Sequence, residues 1–289
     1  LADIRIRHGQ DGRFFGIATL DLEPSGSEQV VVRVPAGYEL IHASVTGMAA
    51  RLEPLSEDRL QLSLFSSQLP QRVELIFIGN RGLTWAGHGA WQCDFPRLED
   101  IPVVRTTWTI LSDSESGLPQ AMDGIQPASG ISIEVGRLDQ LIDMSALSSE
   151  LAAVSQPVSS DDWYVPWQRQ YRQAWNRLAR EELQQGVDPE HSQLKRIDER
   201  QQQIEQGLGI ERVVVDEETV NPPSAGDMFD ALAAGMPTIA RFTSTAGGGL
   251  PRIRFPGVQG SSRWAIAGRW LLVLVVLAGI MLVRRNSTL

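Results

Sequence analysis

The sequence predicts an α+β protein: an antiparallel β-sandwich-like domain, then a helical hairpin, a β-hairpin and one transmembrane helix. Three observations carry this. Apolar and polar residues alternate at period 2 through the early part of the chain. Near residue 136 the apolar spacing changes to that of a helix. Near the end, Trp264 to Val283 is an almost unbroken apolar run. The implied division is 1–135 for the sandwich-like domain, 136–209 for the helical hairpin region and 210–260 for a linker with a β-hairpin. The transmembrane helix then covers 264–283, and 284–289 is a short tail.

Within 1–135 the strands follow one another with turn residues between them. Ile4 and Ile6 alternate with Arg5 and Arg7, and Phe14 to Leu20 runs up to Pro24-Ser25-Gly26. Val30 to Val34 ends at Pro35-Ala36-Gly37, and Tyr38 to Val45 follows. Leu60, Leu62 and Leu64 alternate with polar residues, Val73, Leu75 and Phe77 repeat the pattern, and Val103 to Leu111 adds a strand containing Trp108. Regular turns between short alternating strands are the pattern of an antiparallel sandwich with one wet face. Residues 113–130 are rich in Gly, Pro and Ser and read as a loop, after which Ile131 to Val135 is expected to return to the sheet.

The helical region opens with Leu138, Leu141, Ile142 and Leu147 in a short helix. Asp161-Asp162 supplies a cap for the first arm of the hairpin, whose Trp167, Tyr171, Ala174, Trp175 and Leu178 recur at helical spacing up to Gly186. Asp188-Pro189 restarts the second arm, with Leu194, Ile197, Ile204 and Leu208. A connection this short folds two helices back on each other. Beyond them, Val213 to Val215 is a candidate strand. Thr238 to Thr243 and Leu250 to Phe255 flank Gly247-Gly248-Gly249 as a hairpin.

The run 264–283 has about 20 residues, which at about 1.5 Å each span the roughly 30 Å of a bilayer core. Trp264, Arg269 and Trp270 at one end and Arg284 and Arg285 at the other are the expected interfacial anchors. The tail is too short for a signalling domain, so the helix reads as a passive tether. The bulk of the chain is expected to face outward, with lipid bilayer and an envelope protein or polysaccharide as its partners.

Composition narrows the chemistry. The net charge of −9 gives no pull toward nucleic acid. Cys93 is the single cysteine, which excludes an internal disulfide framework and a multi-cysteine zinc site. It reads as a small buried apolar group. His8, His42, His88 and His191 are scattered without ligand-type spacing, and no cofactor is expected. Nucleotide, serine-hydrolase, zincin and calcium-loop patterns are all missing. Asp113 with Glu115, or Glu217 with Glu218, are the acidic pairs for a catalytic alternative. Trp85 and Trp91 would share one face of a regular strand, with Gly87 and Gly89 between them. They are the candidate platform for a sugar or peptide, against the competing reading that they fill the core.

Pro35-Ala-Gly-Tyr-Glu-Leu-Ile-His-Ala-Ser-Val-Thr-Gly47, Phe95-Pro96 and Val104-Arg-Thr-Thr-Trp-Thr109, together with the helical hairpin and the late apolar run, resemble the C-terminal parts of large uncharacterised planctomycete-type envelope proteins. That resemblance brings no functional residue with it. It implies that the chain is a fragment, in keeping with a first residue, Leu1, that is not Met. The expected function is a membrane-anchored, non-enzymatic structural or interaction module of the cell envelope. The alternatives are a carbohydrate-binding module using Trp85 and Trp91, or the non-catalytic C-terminal part of a larger envelope enzyme.

Overall fold

The computed structural model describes residues 1–9, 13–80, 91–112, 119–121, 125–154, 160–188, 191–208, 225–245 and 253–255. It is α+β, with three sheets and four helices among the described residues. β1 (Ala2–His8), β2 (Arg13–Leu22), β4 (Tyr38–Val45), β5 (Met48–Ala49), β8 (Gln71–Asn80), β11 (Arg105–Ser112), β13 (Ile125–Pro127) and β14 (Thr238–Thr245) form an eight-stranded sheet. Its order is β13-β14-β11-β1-β2-β8-β4-β5. A second sheet, β10-β3-β7-β6, joins β3 (Gln29–Arg33), β6 (Leu52–Pro54), β7 (Arg59–Ser63) and β10 (Arg97–Leu98). A third joins β9 (Trp91–Cys93), β12 (Gln120–Ala121) and β15 (Ile253–Phe255).

The large sheet is mixed. β1 pairs antiparallel with β2 but parallel with β11, Ala2 opposite Thr106. The expectation of purely antiparallel pairing is corrected here, because alternation marks a strand without naming its neighbour. Ile4, Ile6, Phe14, Leu75, Phe77 and Trp108 from this sheet share one buried cluster with Val30, Val32 and Leu62 of the second sheet. Within it, Phe77 lies over Gly16 and Phe14 over Gly79, each glycine directly opposite the ring it accommodates. A Cβ at either position would collide with that ring.

Two further expectations change. Ile131 to Val135 does not return to the sheet. It lies in α1 (Gly130–Val154), whose first turn is capped where the Ser132 N–H donates to Ser129 Oγ at 3.1 Å. Thr238 to Phe255 is not a hairpin either. β14 joins the large sheet between β13 and β11, while β15 pairs with β9 and β12 in another sheet. Apolar alternation around a glycine run predicted local pairing, but β14 finds its partners more than a hundred residues upstream. The glycine tip itself lies outside the described residues.

The helices form a layer of three with a fourth apart. α2 (Ser160–Gln185) ends where Gly186 adopts a positive φ of 64°, and the Val187 N–H donates back to the Glu182 carbonyl. α3 (Gln193–Leu208) starts later than Asp188-Pro189 suggested. Its cap is Ser192, held by Glu182 of α2, whose carboxylate also accepts the Gln193 N–H at 2.7 Å. Leu138, Leu141 and Ile142 of α1 bury against Trp167, Tyr171, Ala174 and Leu178 of α2 and Ile197 of α3. α4 (Ala225–Leu232) lies instead on the large sheet, where Phe229 stacks on Phe15 with centroids 5.6 Å apart.

No helix among the described residues is long and apolar enough to cross a membrane. The single-pass membrane placement expected from the sequence is corrected on that finding. Even α1, an apolar helix by composition, carries Glu134, Arg137, Asp139, Asp143 and Glu150 along its length. The run 264–283 and its anchors Trp264, Arg269, Trp270, Arg284 and Arg285 lie outside the described residues.

Candidate functional site

The alternation that defines β1 has an unexpected outcome. Ile4 and Ile6 enter the core, as period 2 requires, but Asp3 and Arg5 on the opposite face are buried too, at 6% and 8% exposure. That face is roofed by helices. Asp3 receives Arg137 of α1 and the Thr107 hydroxyl at 2.6 Å. Arg137 also binds Glu134 one turn earlier, and Glu134 accepts Arg177 Nε of α2 at 3.2 Å. Arg5 pairs with Asp230 of α4 and sits over the Phe229 ring, 4.9 Å from its centroid. Arg72 holds Asp21 with two hydrogen bonds of 2.6 and 2.9 Å, and Glu74 accepts the Ser44 hydroxyl at 3.0 Å. At the sheet's other end Arg241 pairs with Glu181 of α2.

These contacts set the electrostatics. Burial alone would raise the Asp3 carboxyl, but the guanidinium groups of Arg137 and Arg5 outweigh it and hold the pKa below the ordinary carboxylate range. For Arg137, burial favours the neutral form, yet Asp3 and Glu134 reverse that and raise its pKa. Arg177 has burial as its largest influence and is lowered, since Glu134 is shared and Arg137 repels it. Gly136 of α1 lies against the Arg105 guanidinium, which a Cβ there would push aside. A carboxylate locked to arginine is a poor general acid or base at neutral pH, because its proton-bound form is suppressed. The layer is suited to fastening helices to a sheet.

Where the roof ends, the same sheet face opens into a cleft of about 530 Å³. Arg7, Phe15, Ile78 and Glu39 lie in one row across β1, β2, β8 and β4, each directly opposite the next. Cross-strand partners share a face, so one row presents a cation, two apolar groups and an anion in sequence. Arg13 lines the cleft two residues before Phe15 on β2. Ile78 is 38% exposed, and Glu39 is exposed. Arg7 donates to the Leu232 carbonyl at the end of α4 at 2.9 Å, which fixes the cleft's edge.

Those residues singled out from the sequence that the structure describes do not line this cleft. Trp85 is outside the described residues, and Trp91 lies in β9, paired through its backbone with Phe255. Asp113, Glu115, Glu217, Glu218 and His88 also lie outside them. Cys93 is fully buried, with its thiol 3.7 Å from the Tyr38 hydroxyl. Burial pushes that thiol up to about 12, and the nearby Asp94 adds to the shift against a lowering hydrogen bond from Tyr38. His8 is buried on β1, His42 half-buried on β4 and His191 exposed. Among the described residues no group of three His, Cys, Asp or Glu is placed to hold a metal. Sequence reading missed the cleft row. Its one signal was that Arg7, Phe15, Glu39 and Ile78 all fall on strands, but only the register brings them together.

No family model matches the chain, and no curated protein matches it. Among solved structures it is similar to the M1 zinc metallopeptidase from Deinococcus radiodurans, with a TM-score of 0.31 and 16% identity over 44% of this chain and 33% of that one. An aminopeptidase N family protein from Idiomarina loihiensis gives a TM-score of 0.31 and 16% identity over 45% of this chain and 25% of that one. Aminopeptidase A from Legionella pneumophila gives 0.31 and 14% over 43% and 17%. The chain thus spans a third or less of the length of each of these three. At such TM-scores the likeness carries no argument about what this chain does.

Proposed function

We propose that this protein is a non-catalytic interaction module that binds a partner through the cleft at the end of its large sheet. The observation that carries the reading is the contrast along one sheet face. Asp3 is buried with Arg137 of α1, Arg5 with Asp230 of α4, and Arg72 with Asp21 of the neighbouring strand. The row from Arg7 to Glu39 faces an open cleft of about 530 Å³, within the range of sites that bind ligands. Such a module serves equally as a separate protein or as the non-catalytic part of a larger enzyme.

A peptide-display selection on the whole chain, run in parallel on Ile78→Asp, tests the reading. Ile78 is 38% exposed on the cleft floor, and the thermal unfolding of Ile78→Asp, measured alongside, separates a changed floor from a lost fold. The expected result is a peptide class enriched by the native protein and lost on Ile78→Asp. Enrichment by neither protein, or equal enrichment by both, overturns it.

A further inference from the structure

The charges at the two ends of the cleft identify what it takes. We infer that it binds a short extended peptide segment laid across the strands, with a carboxylate at the Arg7 end, an ammonium at the Glu39 end and apolar side chains between. The inference rests on the interaction-module reading and specifies its ligand.

Three features point this way. The first is polarity. Arg7 and Glu39 close opposite ends of one cross-strand row. A simple anion would be served by Arg7 alone and would leave Glu39 opposing it. A cation would meet the converse problem. Only a ligand charged oppositely at its two ends is matched throughout. The second is length. Four strands at about 4.8 Å separation put the row's ends about 14 Å apart, which is about four residue rises, the distance from the first to the fifth residue of an extended segment. The third is the floor. Phe15 and Ile78 occupy the middle of the row, where an apolar side chain loses water against them and a polar one gains nothing. Phe15 is itself held by its stack on Phe229, so the floor is formed before a ligand arrives.

Calorimetric titration of the whole chain with three end-blocked pentapeptides tests the inference. All have leucine at the centre and alanine at the second and fourth positions, so the two end residues and the leucine share one face of the extended segment. One carries lysine and aspartate at its two ends, one aspartate at both and one lysine at both. The native protein is expected to bind the mixed peptide about tenfold more tightly than either like-charged peptide. Glu39→Arg, at an exposed position, is expected to shift the preference to the peptide with two aspartates. Glu39→Gln is expected to level the mixed and two-aspartate peptides. A native protein that fails to discriminate among the three overturns the inference, as does a ranking unmoved by Glu39→Arg. If the ranking fails while selected peptides still depend on Ile78, the cleft is an interaction site for another chemistry and only the polarity assignment falls.

Discussion

Asp3 ties β1 to α1 and to β11 at once. It is buried, it accepts from Arg137 and Thr107, and its carboxyl is held below the ordinary range because the arginines outweigh the cost of burial. A carboxylate with a depressed pKa contributes stability that is complete above its unfolded value of about 3.9 and is lost as pH falls through the lower folded value. The arginines opposite it do not titrate in this window. Thermal unfolding followed from pH 7 downward should therefore show stability falling below about pH 4. Asp3→Asn should be less stable at pH 7 and show a shallower acid slope. An unchanged slope would mean that other carboxylates dominate acid unfolding. None of this was visible in the sequence. Alternation of Ile4 and Ile6 with Arg5 and Arg7 reads as one dry face and one wet face, and the same pattern arises when charges are buried against charged helices.

At the scale of elements, α4 shows how local and distant information divide. Its eight residues carry Met228, Phe229 and Leu232 in a segment that the sequence offered only as part of a linker. An isolated helix of this length is marginal in water. Its stability comes from Phe229 on Phe15, from Ile17 and Ile76 beneath it, and from Asp230 on Arg5. Phe229→Ala should cost about 3–5 kcal/mol if the site does not collapse. Hydrogen exchange should then speed up across Ala225–Leu232 before the central strands, because a docked short helix is the weaker cooperative unit. Uniformly faster exchange would show that α4 and the sheet open together. The strands themselves were legible: β2, β3, β4, β7, β8 and β11 fall close to the alternating runs that announced them. Helix stops were legible where a glycine took a left-handed conformation, as at Gly186. Pairing was not. β1 beside β11 and β14 beside both β11 and β13 are fixed by distant contacts that no local pattern encodes.

For the molecule as a whole, the division of labour along one sheet face is the central claim. One stretch is consumed in an ionic layer that fastens α1, α2 and α4, and the other is left open as the cleft. The candidate site was illegible in the sequence for the same reason as the topology, since its members come from four strands. The tryptophans drew attention because large aromatics are conspicuous in a sequence, whereas a binding row of ordinary residues becomes visible only in register. A double-mutant cycle on the Asp3–Arg137 pair, measured by denaturant unfolding at neutral pH, tests the claim most directly. Asp3→Leu alone leaves Arg137 and Arg177 sharing Glu134, and Arg137→Met alone takes from Asp3 its arginine partner, so each leaves a buried charge uncompensated and should cost about 3–5 kcal/mol. Together they remove the pair and leave Glu134 with Arg177, so the double variant should lose far less than the sum. Losses that simply add, or single variants as stable as the native protein, would contradict the assignment of this layer as the fastening between helices and sheet.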